Sequence, residues 1–152
     1  MEKLKEYKKL IEQWSIDKGL NDKDPKVQIL KVTEEFGEID EAKTDQEMMD
    51  AIGDSYVTLV VIAQQLKIDE FNPYVNSKTP LANLGRFSGY LARSSENTND
   101  FKKAIESLYD NLLGIARYRN LTFVDCVEVA YNVIKNRKGK MIGDTFVKEE
   151  DL

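Results

Sequence analysis

The stretch of this sequence best suited to chemistry is "EEFGEIDEAKTDQEMMDAIGD", residues 34–54. It contains nine acidic residues and one basic residue, Lys43, and a continuous apolar segment follows it. Carboxylates beside a core are costly unless cations offset their charge. Lys31 and Lys43 are the basic residues at hand, so a divalent cation is the other solution. An oxygen-only set without histidine or cysteine suits Mg²⁺, with Mn²⁺ as a second choice.

Helical spacing predicts where two of these acids point. The segment 25–43 has the apolar pattern of an amphipathic helix, which rotates by 100° per residue. Glu35 falls at the border of the apolar stripe, and Glu38 lies one turn further along. The stripe itself consists of Ile29, Val32, Phe36 and Ile39. We therefore expect Glu35 and Glu38 at the edge of the core.

A second helix, predicted over 45–68, presents three more acids. Glu47, Asp50 and Asp54 are spaced i, i+3 and i+7, so they share a face that becomes apolar within one turn. Two acidic faces that both border the core can hold a cation between their helices. An acid-rich face that is simply solvated is the alternative, and spacing alone leaves both interpretations open.

The rest of the sequence also has helical periodicity, and the expected fold is an all-α bundle formed by one domain, residues 1–152. Helices are predicted over 2–18, 25–43, 45–68, 81–95, 99–120 and 122–140. The predicted caps are Asp24 before Pro25, Thr44 or Asp45, Asn99 or Asp100, and Thr122. The segment "DTFVKEE" near the C-terminus is the one candidate strand.

Composition excludes several classes of function. The net charge is −5, so no basic surface for nucleic acid is expected. The absence of histidine excludes histidine acid–base chemistry and the usual zinc sites. The single cysteine, Cys126, is expected to be a buried structural thiol in a reducing compartment. No apolar run is long enough to span a bilayer and no signal peptide is recognised, so we expect a cytoplasmic protein without a membrane partner.

Three segments, "EEFGE" (34–38), "EMMD" (47–50) and "GDSYVTLVV" (53–61), resemble the MazG-like, all-α nucleotide pyrophosphohydrolase superfamily. The family pattern is E-E-x-x-E on one helix and E-x-x-D on the next. The C-terminal segment is also similar to phage-type MazG-like proteins, in which a basic segment follows the last helix. The resemblance covers about a third of the chain and implies a four-helix-type core with extra helices.

The two halves of the family pattern match unequally. Glu34, Glu35 and Glu38 reproduce the first half. In the second half, Glu47 with Asp50 fits the pattern literally, whereas Asp54 stands where the family's aspartate is expected. The candidates for the second helix are therefore Glu47, Asp50 and Asp54, with the two aspartates favoured.

The resemblance implies Mg²⁺-dependent hydrolysis of nucleoside triphosphates, with dNTPs or non-canonical NTPs as candidate substrates. Cleavage between the α- and β-phosphates would give the nucleoside monophosphate and pyrophosphate. Glu34 or Glu35 would orient or deprotonate the attacking water. The metal ligands implied by the resemblance are Glu35, Glu38, Asp50 and Asp54, with Glu47 as a further candidate.

Residues that would contact the nucleotide are also suggested. Lys31 would contact phosphate or pair with the acids, although a plain surface lysine is equally compatible. The basic segment "KNRKGK" (135–140) is either a phosphate clamp or a set of cations at a helix C-terminus. Trp14 would lie near the base or pack in the core, and Asn132 is a weaker candidate. The full set is Lys31, Trp14, Asn132, Lys135, Arg137 and Lys138.

Partners and rival functions follow from the same resemblance. A homodimer or homotetramer is expected, because sites in this superfamily are commonly completed by a second subunit. A dUTPase or a phosphoribosyl-ATP pyrophosphatase is the alternative within the superfamily. A non-catalytic helical module that binds a partner protein through its acidic patch is the alternative from another class.

Overall fold

Helices dominate the computed structural model, which describes residues 2–73, 89, 91–93 and 97–152. The sequence-based prediction of a helical bundle is confirmed, and a small C-terminal hairpin is added to it. The elements are α1 (Glu2–Asp17), α2 (Lys26–Glu41), α3 (Asp45–Gln65), α4 (Thr98–Tyr118), α5 (Phe123–Ile134), β1 (Gly139–Ile142), β2 (Thr145–Lys148) and a 3₁₀ turn (Glu149–Asp151). Most of the helix predicted over 81–95 lies outside the described residues.

Helix α3 is the centre of the bundle and packs against α1, α2, α4 and α5. From Ser55 to Ala63 every residue of α3 is buried, as expected for a segment that is apolar nearly all round. The polar residues in this stretch satisfy their hydroxyls locally, since Ser55 Oγ donates to the Ala51 carbonyl and Thr58 Oγ1 donates to the Asp54 carbonyl. The acidic N-terminal half of α3 leads directly into its most buried segment.

A glycine sets the distance between α3 and α5. A Cβ added at Gly53 would lie 2.2 Å from the Cys126 carbonyl oxygen and 2.7 Å from the Ala130 Cβ. Only a residue without a side chain permits this approach. Cys126 itself is buried, as predicted, and burial raises the pKa of its thiol to about 11.

The observed helix N-caps agree in part with those predicted from the sequence. Thr44 caps α3 in a capping box, in which its Oγ1 accepts from the Glu47 N–H and the Glu47 carboxylate accepts from the Thr44 N–H. Helix α4 is capped by Asn97, so the prediction of Asn99 or Asp100 was wrong by two or three residues. Asn97 is the cap because its side-chain oxygen accepts hydrogen bonds from two N–H groups of the first turn.

Two further caps were predicted, of which Thr122 is confirmed in position and Asp24 is displaced by one residue. Thr122 occupies the N-cap of α5, but its side chain makes no capping hydrogen bond. Pro25 stands at the N-cap of α2 rather than inside the helix, and Asp24 Oδ1 accepts from the Lys26 N–H at 2.9 Å.

The C-terminal segment departs most from the sequence-based expectation. Helix α5 ends at Ile134, whereas a helix to residue 140 was predicted. The polar run that follows Ile134 offers no apolar residue to continue the buried stripe, and the chain turns into the β1–β2 hairpin. Gly143, with φ of +61°, lies in its two-residue turn. The candidate strand in "DTFVKEE" is confirmed as β2.

Among the described residues, no helix is both long enough and apolar enough to span a membrane.

Candidate metal centre

Three carboxylates meet where α2 and α3 pack together. Glu35 and Glu38 project from successive turns of α2, and Asp54 projects from the middle of α3. One carboxylate oxygen from each residue lies within 4.8 Å of those of the other two. Oxygen atoms at this spacing can bind one hard divalent cation, whose bonds to carboxylate oxygens are about 2.0–2.6 Å.

Glu35 is the buried member of the cluster, with 7% of its surface exposed. The Lys31 ammonium lies 3.6 Å from Glu35 Oε1 and favours the charged carboxylate. Burial outweighs that attraction, and together with the negative charge of Asp54 it raises the pKa of Glu35 to about 7. A single lysine therefore does not neutralise this site.

Asp54 is in the same situation on the opposite helix. Burial raises its pKa to about 6, and the neighbouring Glu38 and Asp50 carboxylates add to the effect. Arg137 and Lys31 act against it and lower the pKa, but they do not cancel the cost of burial. A bound divalent cation would remove this penalty for both carboxylates, because it stabilises their ionised forms.

The cluster opens into a cleft of about 640 Å³. Helix α2 and α3 form two sides of this cleft, and Trp14 of α1 and the C-terminal hairpin contribute to the remainder. Its lining includes four acids, three cations and two aromatic rings, namely Glu34, Glu35, Glu38, Asp54, Lys31, Arg137, Lys148, Trp14 and Phe146. Carboxylates and cations in one cleft suit an anionic ligand that reaches the carboxylates through a metal.

The hairpin is held in place by contacts with the end of α1. The ring of Phe146 meets the indole of Trp14 edge to face, with centroids 6.5 Å apart, and the Lys18 ammonium lies 5.8 Å from the Phe146 ring centroid. A Cβ added at Gly139 would clash with β2, 2.1 Å from the Val147 carbonyl oxygen. The contacts of Phe146 with Trp14 and Lys18 place β2 beside the cleft, and the close approach at Gly139 holds the two strands together.

The other predicted acids lie apart from the cluster. Glu34 is exposed and lines the cleft without joining the three carboxylates. Glu47 is engaged in the capping box of α3, where Oε2 also accepts from the Lys43 N–H at 2.7 Å. Asp50 Oδ1 accepts from Gln46 Nε2 at 3.1 Å. The structure thus brings Asp54 to Glu35 and Glu38, and leaves Glu47 and Asp50 outside the group.

The predicted substrate contacts also divide into two groups. Trp14, Lys31 and Arg137 line the cleft, and Trp14 packs on Phe146 as well. The remaining three are exposed and do not line it, namely Asn132, Lys135 and Lys138. The helix that was expected to aim the whole basic segment ends at Ile134, so Arg137 alone of these basic residues reaches the cleft.

Sequence reasoning missed the contribution of the hairpin. Phe146 and Lys148 line the cleft, and so does the buried Gln28 of α2. The alternation in "TFVK" places Phe146 and Lys148 on one face of a strand, which was the available signal. The position of that strand beside α1 depends on tertiary contacts.

Comparisons with known proteins give one partial match. The chain is 41% identical over 73 residues to an uncharacterised 18.2 kDa protein from the rep–hol intergenic region of Haemophilus phage HP1. The match covers 45% of this chain and 45% of that protein, so the chain spans less than half the length of this relative. No family model matches the chain. No solved structure matches it either.

Proposed function

We propose that this protein is a Mg²⁺-dependent nucleoside triphosphate pyrophosphohydrolase. The observation that supports the proposal best is the cluster of Glu35, Glu38 and Asp54 at a cleft that also presents cationic side chains. A metal held by the carboxylates would bind one part of a polyphosphate. The cations beside it would bind the phosphates that do not contact the metal. The motif resemblance to MazG-like enzymes supplies the reaction class.

The donor set fits the proposed metal. All three candidate ligands are carboxylates, which magnesium prefers, and one of them is buried with incomplete charge compensation. The metal would offset the charge of the triphosphate and lower the pKa of a bound water. Glu35, Glu38 and Asp54 would hold it, and Mn²⁺ has the same ligand preference.

The remaining cleft residues would bind substrate and accept a proton. Glu34 lines the cleft outside the ligand cluster, so its carboxylate is free to orient the water and take its proton. Arg137 would stabilise the negative charge on the phosphates. Water would add to the α-phosphate as the α–β anhydride bond breaks, which leaves a monophosphate and pyrophosphate.

A product assay tests the reaction directly. The protein is incubated with a panel of NTPs and dNTPs, including dUTP and phosphoribosyl-ATP, with and without Mg²⁺. We expect metal-dependent release of pyrophosphate and monophosphate, and loss of at least about a hundredfold in rate for Glu38→Gln. Glu41→Gln, an exposed change on the same helix, is the matched control.

Each contrary result has a defined meaning. Release of single phosphate would contradict cleavage between the α- and β-phosphates. Preference for dUTP or phosphoribosyl-ATP would favour the corresponding alternative within the superfamily. No turnover across the panel, with Glu38→Gln identical to wild type in metal binding, would refute the proposal and favour an interaction module.

A further inference from the structure

The C-terminal hairpin presents a half-buried lysine to the cleft. Lys148 lines the cleft, and it takes part in none of the ion pairs found among the described residues. By contrast, Lys31 is already paired with Glu35. A partly buried ammonium at a cleft without a carboxylate partner is suited to bind an anion from solution.

Strand geometry explains why Lys148 faces the cleft. Phe146 and Lys148 are two residues apart in β2, so they share a face, and their cross-strand partners are Met141 and Gly139. Phe146 packs against Trp14, and that contact turns the shared face toward the cleft. Lys140 pairs with Val147 and therefore belongs to the opposite face of the hairpin.

Lys148 also differs in position from the other two cations of the cleft. Lys31 lies on α2 and pairs with Glu35, and Arg137 follows α5, whereas Lys148 lies on β2 and forms none of the ion pairs found among the described residues. Lys148 is left for a part of the ligand that lies away from the metal.

We infer that Lys148 is a substrate-binding residue that contacts the end of a polyphosphate chain distant from the metal-bound phosphate. This inference rests on the proposed function. It gives the hairpin a role in distinguishing triphosphates from shorter phosphate chains. A triphosphate would reach both the carboxylate cluster and Lys148, whereas a monophosphate would occupy one of them. Affinity for a triphosphate should therefore depend on Lys148, and affinity for a monophosphate should not.

The test compares Lys148→Met with Lys140→Met, a matched change on the opposite face of the same hairpin. With Mg²⁺ present, Lys148→Met should raise KM for the best triphosphate about tenfold or more, and should weaken binding of inorganic tripolyphosphate equally. Binding of the nucleoside monophosphate and of Mg²⁺ alone should remain at wild-type strength. Lys148→Arg should restore most of the triphosphate affinity, since it restores the positive charge.

The outcomes separate the inference from the proposed function. If wild type hydrolyses triphosphates but Lys148→Met and Lys140→Met have the same KM, the inference is overturned and the function stands. If wild type hydrolyses nothing yet binds tripolyphosphate through Lys148, the function falls and the anion site remains. Absence of both hydrolysis and tripolyphosphate binding in wild type would overturn both. If the two methionine variants differ in melting temperature, their KM values are compared at a temperature at which both are folded, and equal KM values there overturn the inference.

Discussion

At the scale of single residues, the decisive feature is the conflict between burial and charge at Glu35. Its carboxylate is 7% exposed and has Lys31 at 3.6 Å, yet its pKa is raised rather than lowered. Desolvation therefore exceeds the attraction of one lysine, and Asp54 meets the same penalty across the helix interface. Glu35 and Asp54, together with the neighbouring Glu38, could therefore hold a divalent cation in the folded protein.

Metal should stabilise the folded protein measurably. At a Mg²⁺ concentration one hundred times Kd, a ligand that binds only the native state adds about 2.7 kcal/mol to the free energy of unfolding. For a chain of this length, each kcal/mol corresponds to a rise of about 2–4 °C in Tm. Calorimetry should show this rise for wild type and for Glu41→Gln, and Asp54→Asn should abolish it. An equal rise in Asp54→Asn would mean that the metal binds elsewhere.

The metal-free protein should lose stability as pH rises. Folding raises the pKa of Glu35 from 4.5 to about 7 and that of Asp54 from 3.8 to about 6. The folded state therefore holds protons that the unfolded state releases, and the associated stability is present below about pH 4 and lost as pH rises to about 7. Urea denaturation in a chelating buffer should show Glu35→Gln gaining stability relative to wild type across this range.

One outcome would change this interpretation. A stability difference between Glu35→Gln and wild type that does not vary with pH would show that Glu35 titrates normally. Addition of Mg²⁺ should remove the loss of wild-type stability near neutral pH, because the metal replaces the protons.

At the scale of elements, the geometry of the cluster depends on how closely α3 packs against α5. Gly53 precedes Asp54 directly and lies against the Cys126 carbonyl oxygen. A backbone carbonyl cannot move aside as a flexible side chain does, so a methyl group at residue 53 must push the helices apart. Packing at this point is thereby coupled to the position of a metal ligand.

Gly53→Ala should destabilise the protein by about 1–3 kcal/mol and weaken metal binding, although it adds only one methyl group. Gly37→Ala is the matched control, because a Cβ there meets nothing within 4 Å and alanine favours the helix. That control should stabilise the protein by about 0.4–1 kcal/mol. Urea denaturation and metal titration of both variants check the pair. Equal effects of the two substitutions would refute a tight α3–α5 contact.

The capping box of α3 separates two roles for Glu47. If its carboxylate caps the helix, Glu47→Gln should keep most of the stability and all of the metal affinity, because glutamine can also accept the N–H groups. Glu47→Ala should cost about 1 kcal/mol of stability. Calorimetric titration with Mn²⁺ on the two variants provides the measurement. A loss of metal affinity in Glu47→Gln would restore Glu47 to the ligand set.

At the scale of the whole molecule, a large apolar side chain is exposed beside the cleft. Leu30 lines the cleft on α2 and is 72% exposed, so a single chain leaves this side chain in water. The resemblance to MazG-like enzymes predicts a second subunit next to the site. A copy of the chain that covers Leu30 would both bury it and complete the cleft.

Light scattering should therefore give the mass of a dimer or tetramer. Leu30→Glu should shift the protein toward monomer, because a charge at a buried interface is costly. Leu10→Glu on α1 is the matched control, since Leu10 is also exposed but does not line the cleft. A monomeric wild type at micromolar concentration would contradict the prediction, and equal effects of the two changes would place the interface elsewhere.

The sequence by itself determined the helical bundle and the first half of the candidate site. Apolar residues at helical spacing specify which faces are buried, and the same spacing places Glu35 and Glu38 on successive turns of one helix. The start of α3 was also predictable from the sequence, because Thr44 and Glu47 form a local capping pattern. Each of these features depends on residues a few positions apart.

Tertiary structure alone decided the rest. Asp50 and Asp54 share a helix face, and only the distance between α2 and α3 determines that Asp54 joins Glu35. The end of α5 at Ile134 and the packing of Phe146 on Trp14 likewise depend on residues far apart in sequence. Local spacing fixes the direction of a side chain on its own helix, whereas the distance to a partner on another element is fixed by packing.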